Sequence, residues 1–237
     1  MNFASFRDQV LRDAEQSWGT WVYRGHADPA WPLECSYSRF VASVCDKSAP
    51  YCSAQFKSML NQFLRRAADC LGEDYERLSL FQKIALAQHH GLPTPLLDWT
   101  HSPYVAVYFA VTDKHHLHNP DVTFCVYALN RSVLPVADSL LLEDGALQDG
   151  TFGFLDTQLF VSRRIARQGG CFTYQDFAGC LREHPSRPCV KTYQISDNRY
   201  QIIRELQLMG ISGGSLFDDL DHIANDVLQR ELMNSHA

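Results

Sequence analysis

The chain has 237 residues, 46% of them hydrophobic, and a formal net charge of −6. That suits one domain with a sizeable core, and the negative charge argues against a surface built to cover nucleic-acid phosphates. No apolar run approaches the ~18 residues of a membrane span, and the N-terminus MNFASFRDQVLRDAEQSW is polar rather than a secretory signal, so no membrane partner and a cytoplasmic setting are expected.

In chain order, residues 2–16 read as a helix with Phe3, Phe6, Val10 and Leu11 inward. Gly19 breaks it. Trp21-Val22-Tyr23 is rich in strand formers, and Arg24-Gly25 is expected to end that strand. A loop with Pro29 and Pro32 follows, with Trp31 expected to anchor it to the core. Residues 36–44 suggest a short helix carrying Arg39. From Pro50, the residues Phe56, Leu60, Phe63, Leu64, Ala67 and Leu71 keep a helical period up to Gly72.

Residues 81–110, FQKIALAQHHGLPTPLLDWTHSPYVAVYFA, organise the rest. A helix through Phe81, Ile84 and Ala85 stops at Gly91 and Pro93. A short buried strand starts at Pro95-Leu96-Leu97. Ser102 can cap a new helix with Pro103 at its first position, and Tyr104, Val107, Tyr108 and Val111 give that helix an apolar stripe. Asp98, Trp99, Thr100 and His101 are thereby expected at a strand-to-helix turn.

The later chain is predicted from Val122 to Leu129 as an interior strand, apolar on both faces. Phe152, Phe154, Leu155, Leu159 and Phe160 suggest one or two short strands or packed loops. Gly169-Gly170 marks a turn or a close backbone approach, and Tyr174 to Leu181 reads as one short helix. Val190 to Ile195 alternates as a strand. Residues 199–209 read as a helix with Ile202, Ile203, Leu206 and Met209 inward. Leu220, Ile223, Ala224, Val227 and Leu228 mark a final helix. The expected class is α+β: a single compact domain over 1–237, core about 18–224, with a small mixed or antiparallel sheet and helices packed around it.

Several chemistries lack their motif. There is no phosphate-cradling G-x-x-x-x-G-K-[ST], no G-x-G-x-x-G, no G-x-S-x-G and no H-E-x-x-H. The eight cysteines (35, 45, 52, 70, 125, 171, 180 and 189) include no C-x-x-C and read as reduced, mostly buried thiols, so no metal is expected.

The candidate site is built from a few polar residues. Arg24 can grip a phosphate or carboxylate in two places, or pair with Asp98 and tie the fold together. Gly25 allows a backbone or a ligand to come close to it. His89 and His90 end a helix, where they read either as a C-terminal cap or as site groups; of the two, His90, nearer the turn, is favoured to face the site. Asp98 follows two leucines and is expected to be partly buried, with donors around it. Of Thr100 and Ser102 one caps the next helix, which leaves the other free for a ligand at an anion-friendly helix start. Gln168 is suited to an amide or sugar hydroxyl, and equally to a turn. Asp219, Asp221 and His222 read first as helix-start groups and second as a divalent-metal set.

Tyr23-Arg24-Gly25 together with QHHGLPTPLLDWTHSPYVAVYFA resembles the FRG domain family, over roughly residues 18–224. The order of parts is also similar to ADP-ribosyltransferases. There an arginine on the first strand holds NAD, a hydroxyl-bearing strand follows, a helix packs behind, and a late strand supplies a glutamate. That resemblance implies NAD as substrate. Arg24 would hold the diphosphate, Tyr23, Trp99 or Tyr108 would stack the nicotinamide, and Asp98 or Gln168 would stabilise positive charge developing on the ribose. The chain departs from the pattern twice. Asp98-Trp99-Thr100 stands in place of a Ser-Thr-Ser run, and no Glu-x-Glu lies on a late strand, Glu205 being on a predicted helix. The same residues also suit a module that binds a nucleotide or a partner without turnover. A metal-dependent nuclease on Asp219, Asp221 and His222 is the least favoured reading. The acceptor, protein or nucleic acid, is open.

Overall fold

The computed structural model describes residues 1–16, 19–44, 53–71, 76–116, 119–135, 152–155, 163–175, 181, 190–217 and 219–235. The expected openings at Pro50 and stops at Gly72, and the segment 156–160, lie outside these.

The chain begins with α1 (Phe3–Gln16), which leads into β1 (Trp21–His26). Three helices follow, α2 (Ser36–Val44), α3 (Ser53–Leu71) and α4 (Leu80–His89). Then come β2 (Leu96–Thr100), α5 (Pro103–Thr112) and the long β3 (Asp121–Asn130). The remainder is β4 (Phe152–Leu155), α6 (Arg163–Arg167), β5 (Gly170–Gln175), β6 (Val190–Asn198), α7 (Arg199–Leu208), α8 (Gly213–Leu216) and α9 (Leu220–Ser235). The strands form one six-stranded sheet in the order β4-β5-β2-β1-β3-β6, every pairing antiparallel. The fold is α+β, as the pattern of elements predicts. Among the described residues, no helix is long and apolar enough to cross a membrane.

Local chemistry accounts for the elements. The Ser79 hydroxyl accepts from Gln82 N while the Gln82 side chain returns to Ser79 N, a reciprocal cap that starts α4. Ser102 is the cap of α5, accepting from Val105 N, with Pro103 in the first turn. In α5 the apolar surface is no stripe. Val105, Ala106, Val107, Tyr108, Ala110 and Val111 are all buried, because the helix lies between the sheet and α7. In α1 and α7 the inward faces are as expected except at Leu11 and Met209, which are exposed.

Two expectations at strand ends are corrected. β1 does not stop at Arg24-Gly25 but continues through His26, because β3 pairs with it all along, from Trp21↔Asn130 to His26↔Cys125. Likewise Asp98, Trp99 and Thr100 are not in a turn; they are paired in β2 against β5, Asp98↔Phe172 to Thr100↔Gly170. A third correction concerns Tyr174 and Gln175, which lie in β5 rather than in a helix. In each case a partner strand distant in sequence overrides the local reading.

The core divides into three. Tyr23, Phe124, Val126 and Ala128 from the sheet pack with α1, α5 and α7. Leu96, Phe172 and Tyr174 pack with α2, α3 and α4. By strand alternation and the Tyr23↔Thr100 register, these two clusters cover the same face of the sheet, side by side. Val22, Leu97, Trp99, Cys125, Tyr127 and Leu129 form the opposite face.

Candidate functional site

The middle of the sheet is its weakest seam. β1 keeps six registered pairs with β3, and β2 keeps five with β5. Between β1 and β2 the register holds at one pair, Tyr23↔Thr100. Past it, the strands carry backbone groups that the ladder does not satisfy, and such groups need other partners. Arg24 supplies one: its Nη1 donates to Asp98 O at 2.7 Å. A side chain thus takes the place of a ladder bond.

This seam opens into a cavity of about 650 Å³, within the range that holds drug-sized ligands. Its polar lining includes Arg24, Arg39, Asp98, Asp113 and Gln168, and its apolar lining includes Trp31, Phe109, Ile165 and Phe172. The lining draws on both faces of the sheet at this seam, Gly25, Asp98 and Thr100 from one and Arg24, His26 and Trp99 from the other, with Ala106 and Phe109 of α5 and Arg39 of α2 beside them.

Gly25 is what lets α5 come so close. A Cβ there would sit 1.9 Å from the carbonyl oxygen of Ala106. The close approach that the sequence leaves open is therefore made by backbone. Gly169, with φ of +54°, turns the chain from α6 into β5 and brings its carbonyl to His101 N at 2.8 Å.

Arg24 is held at three points. Nε donates to His26 Nε2 at 3.0 Å, Nη1 to the Asp98 carbonyl, and Nη1 also lies 3.7 Å from Asp98 Oδ2. Among the described residues no bond holds Nη2. Burial lowers the pKa of the guanidinium, and the Asp98 charge counteracts that. Both sequence readings of Arg24 are therefore compatible with one geometry: it ties β1 to β2 and still keeps donors for a ligand.

Asp98 is more open than expected, its side chain 61% exposed, because it projects from β2 between the two helix clusters rather than into either. Its Oδ1 accepts from Gln88 Nε2 at 2.8 Å. Gln88 is oriented in turn by Thr94, whose hydroxyl donates to Gln88 Oε1 while accepting from Leu96 N at 3.2 Å. Thr94 N donates to Ser36 Oγ at 2.9 Å. A relay from α2 through Thr94 and Gln88 thus aims one carboxylate beside one guanidinium.

Gln88 is the residue that sequence reasoning missed. The neighbouring histidines drew the assignment, but His90 is exposed at the C-cap of α4 and is not in the cavity lining. Its ring lies 6.3 Å from Phe63 of α3. The available signal was position: Gln88 is one helical turn from Ile84 and Ala85, on the buried side of α4, and His90 is two residues further round.

The other candidates divide. Tyr23, Gly25, Trp99, Thr100 and Gln168 line the cavity with Arg24 and Asp98. Tyr108 does not, being packed in the cluster beneath α5. Thr100 is not free for a ligand as expected: its hydroxyl donates to Gln168 O at 2.6 Å and accepts from Ser102 N at 3.1 Å. The Trp99 indole is buried and donates to Thr173 Oγ1 at 3.0 Å. The Gln168 amide reaches Leu216 O at 3.4 Å. Glu205 is outside the cavity lining and pairs with Arg7 at 2.6 Å, joining α7 to α1. Among the described residues, the cavity's carboxylates are aspartates, with no glutamate. His222 contacts Asp219 at 2.5 Å and stacks on Phe217, away from the cavity lining. Trp31, expected to anchor its loop in the core, is 40% exposed; Leu33 is the buried anchor instead.

The FRG domain profile matches residues 19–119, from just before β1 to just beyond α5. No curated protein and no solved structure matches the chain.

Proposed function

We propose that the cleft of this chain, whose residues 19–119 match the FRG domain family, binds NAD or a related nucleotide, with an ADP-ribosyltransferase-like reaction as the chemistry that its layout suits. The observation that carries the reading is the open β1–β2 seam with Arg24 set in it. A partly buried guanidinium with unspent donors favours a diphosphate, since planar N–H pairs match phosphate oxygens. Arg39 lines the same cavity and adds a second positive group.

The order of parts also fits the resemblance: an arginine on the first strand, Thr100 at the end of the second, and α5 packed against the first. In such a reaction the nicotinamide–ribose bond breaks, the bonding electrons leave with nicotinamide, and the ribose carbon becomes cationic before an acceptor oxygen or nitrogen attacks it. Asp98 is the group here suited to stabilise that cation, because its side chain is oriented by Gln88 and open to the cavity. Gln168, with its amide turned to Leu216 O, is less suited.

One observation favours a second reading. The described cavity lining has no glutamate, and the glutamate supplies the transition-state contact in the enzymes whose layout this resembles. A module that recognises a nucleotide without turnover uses the same contacts and omits the reaction.

Titration with NAD, followed by chromatography for free nicotinamide, separates the two. The transferase reading expects binding and nicotinamide release, both lost in Arg24→Ala. Binding without release, with or without candidate acceptors, supports the recognition module. Release that survives Arg24→Ala removes Arg24 from its role.

A further inference from the structure

The cleft has a second end that Arg24 and Asp98 do not occupy. Its wall is the loop after β1. There Asp28 forms a turn, its Oδ1 accepting from Ala30 N at 2.8 Å and its carbonyl from Trp31 N at 3.1 Å. Leu33 is fully buried, and its carbonyl accepts from Leu181 N at 2.8 Å. The backbone is thus fixed on both sides of Trp31, yet the indole is 40% exposed at the cavity. A rigid aromatic side chain placed in this way makes contact area at low entropy cost.

Of the other large aromatics of the lining, Phe109 is partly buried and engaged edge-on by Tyr108 and Phe217. Tyr23, Trp99 and Phe172 are each 5% exposed or less. Trp31 is braced from its own side: His115 stands edge-on at 5.5 Å between centroids, and His26 lies at 6.3 Å. His26 is also the ring that Arg24 Nε touches. The platform therefore lies one ring beyond the guanidinium.

Asp113 completes the wall. It caps the C-terminal end of α5, lines the cavity, and is fixed through Oδ1 by His115 N at 2.8 Å. The histidine that braces Trp31 thus belongs to the turn that orients this carboxylate. Its oxygen already accepts from a backbone N–H, and a carboxylate oxygen facing the cavity suits a donor in the same way.

We propose that Trp31 and Asp113 form a nucleobase subsite, in which the indole stacks on the base and Asp113 accepts from its exocyclic amino group. This rests on the nucleotide reading of the cleft and adds which end of the ligand meets which wall. The phosphates lie towards Arg24 and the base lies beyond His26. The ligand class is a nucleotide whose base carries an amino group, as adenine does, over one with a carbonyl in that place.

The test is isothermal titration of the full chain with ADP, with inosine diphosphate and with inorganic pyrophosphate. It compares wild type, Trp31→Ala, Trp31→Phe and Asp113→Asn, with a melting curve for each. Loss of one base stack is expected to weaken ADP binding at least about fivefold in Trp31→Ala. Trp31→Phe should retain most of the affinity, and pyrophosphate should bind all four proteins alike. Asp113→Asn should erase the preference for ADP over inosine diphosphate. Unchanged ADP binding in a folded Trp31→Ala overturns the subsite while leaving the phosphate site at Arg24 in place. If folded wild type binds neither ADP nor pyrophosphate, both readings fall.

Discussion

Arg24 donates Nε–H to His26 Nε2 at 3.0 Å, two residues along the same strand face. The acceptor nitrogen must be unprotonated, so the histidine works here as a neutral base that turns the guanidinium edge towards Asp98. A hydrogen bond to a charged group contributes about 1.5–3 kcal/mol, enough to choose one rotamer of a long side chain.

Removing that acceptor should therefore loosen the arginine without removing it. His26→Phe keeps an aromatic ring against Tyr127, whose centroid lies 5.0 Å away, but offers no lone pair. NAD affinity is expected to fall roughly tenfold or more. His26→Gln, which restores an acceptor, should recover most of it. Titration of both variants, with melting temperatures as a control, checks the pair. Equal losses would show that the ring's packing, and not its nitrogen, is what matters.

Gln88→Glu tests the aim of Asp98. It sets a second carboxylate where an amide now donates at 2.8 Å. Like charges at that distance repel, which raises the carboxyl pKa of the pair and destabilises the fold at neutral pH. The sign follows from linkage: a raised folded-state pKa means that protonation relieves the strain. The gap in stability between variant and wild type should shrink as pH falls towards about 4. Chemical denaturation at pH 7 and pH 4.5 measures it.

Gly25→Ala should be among the most damaging single-methyl changes in the chain. Its Cβ would stand 1.9 Å from a backbone carbonyl, which cannot turn aside as a flexible side chain can. A cost above about 3 kcal/mol is expected, seen as poor folding or a large drop in melting temperature. A small drop would mean that α5 can slide on β1.

Asp13 carries an acid-sensitive contact outside the cavity lining. Burial pushes its carboxyl up, but hydrogen bonds from Tyr193, Lys191 and Gln9 outweigh that and leave it lowered. A depressed folded-state pKa contributes stability above the unfolded value near ~4 that is lost as pH falls through the folded one. Asp13→Asn is expected to cost about 1–3 kcal/mol at pH 7, and less below pH 4. A difference that persists at pH 3 would point to packing instead.

What the sequence determined by itself was local. Ser102-Pro103 starts α5 because cap and first turn are written in adjacent residues. β3 is interior because Val122 to Leu129 is apolar on both faces, and the helices before residue 90 follow from periodicity. The motif residues Tyr23-Arg24-Gly25 and Asp98-Trp99-Thr100, adjacent in two short stretches, also come together in the lining of one cavity. Tertiary structure decided the rest, because it depended on partners far along the chain. Arg24 stays in a strand because β3 pairs with it, some hundred residues on. Gln88 and not His90 serves Asp98, because the path of β2 past α4 sets which side of the helix the carboxylate meets. Trp31 is exposed because Leu33 takes the buried place under its loop. Periodicity reports which residues avoid water; it does not report which distant polar group each will meet.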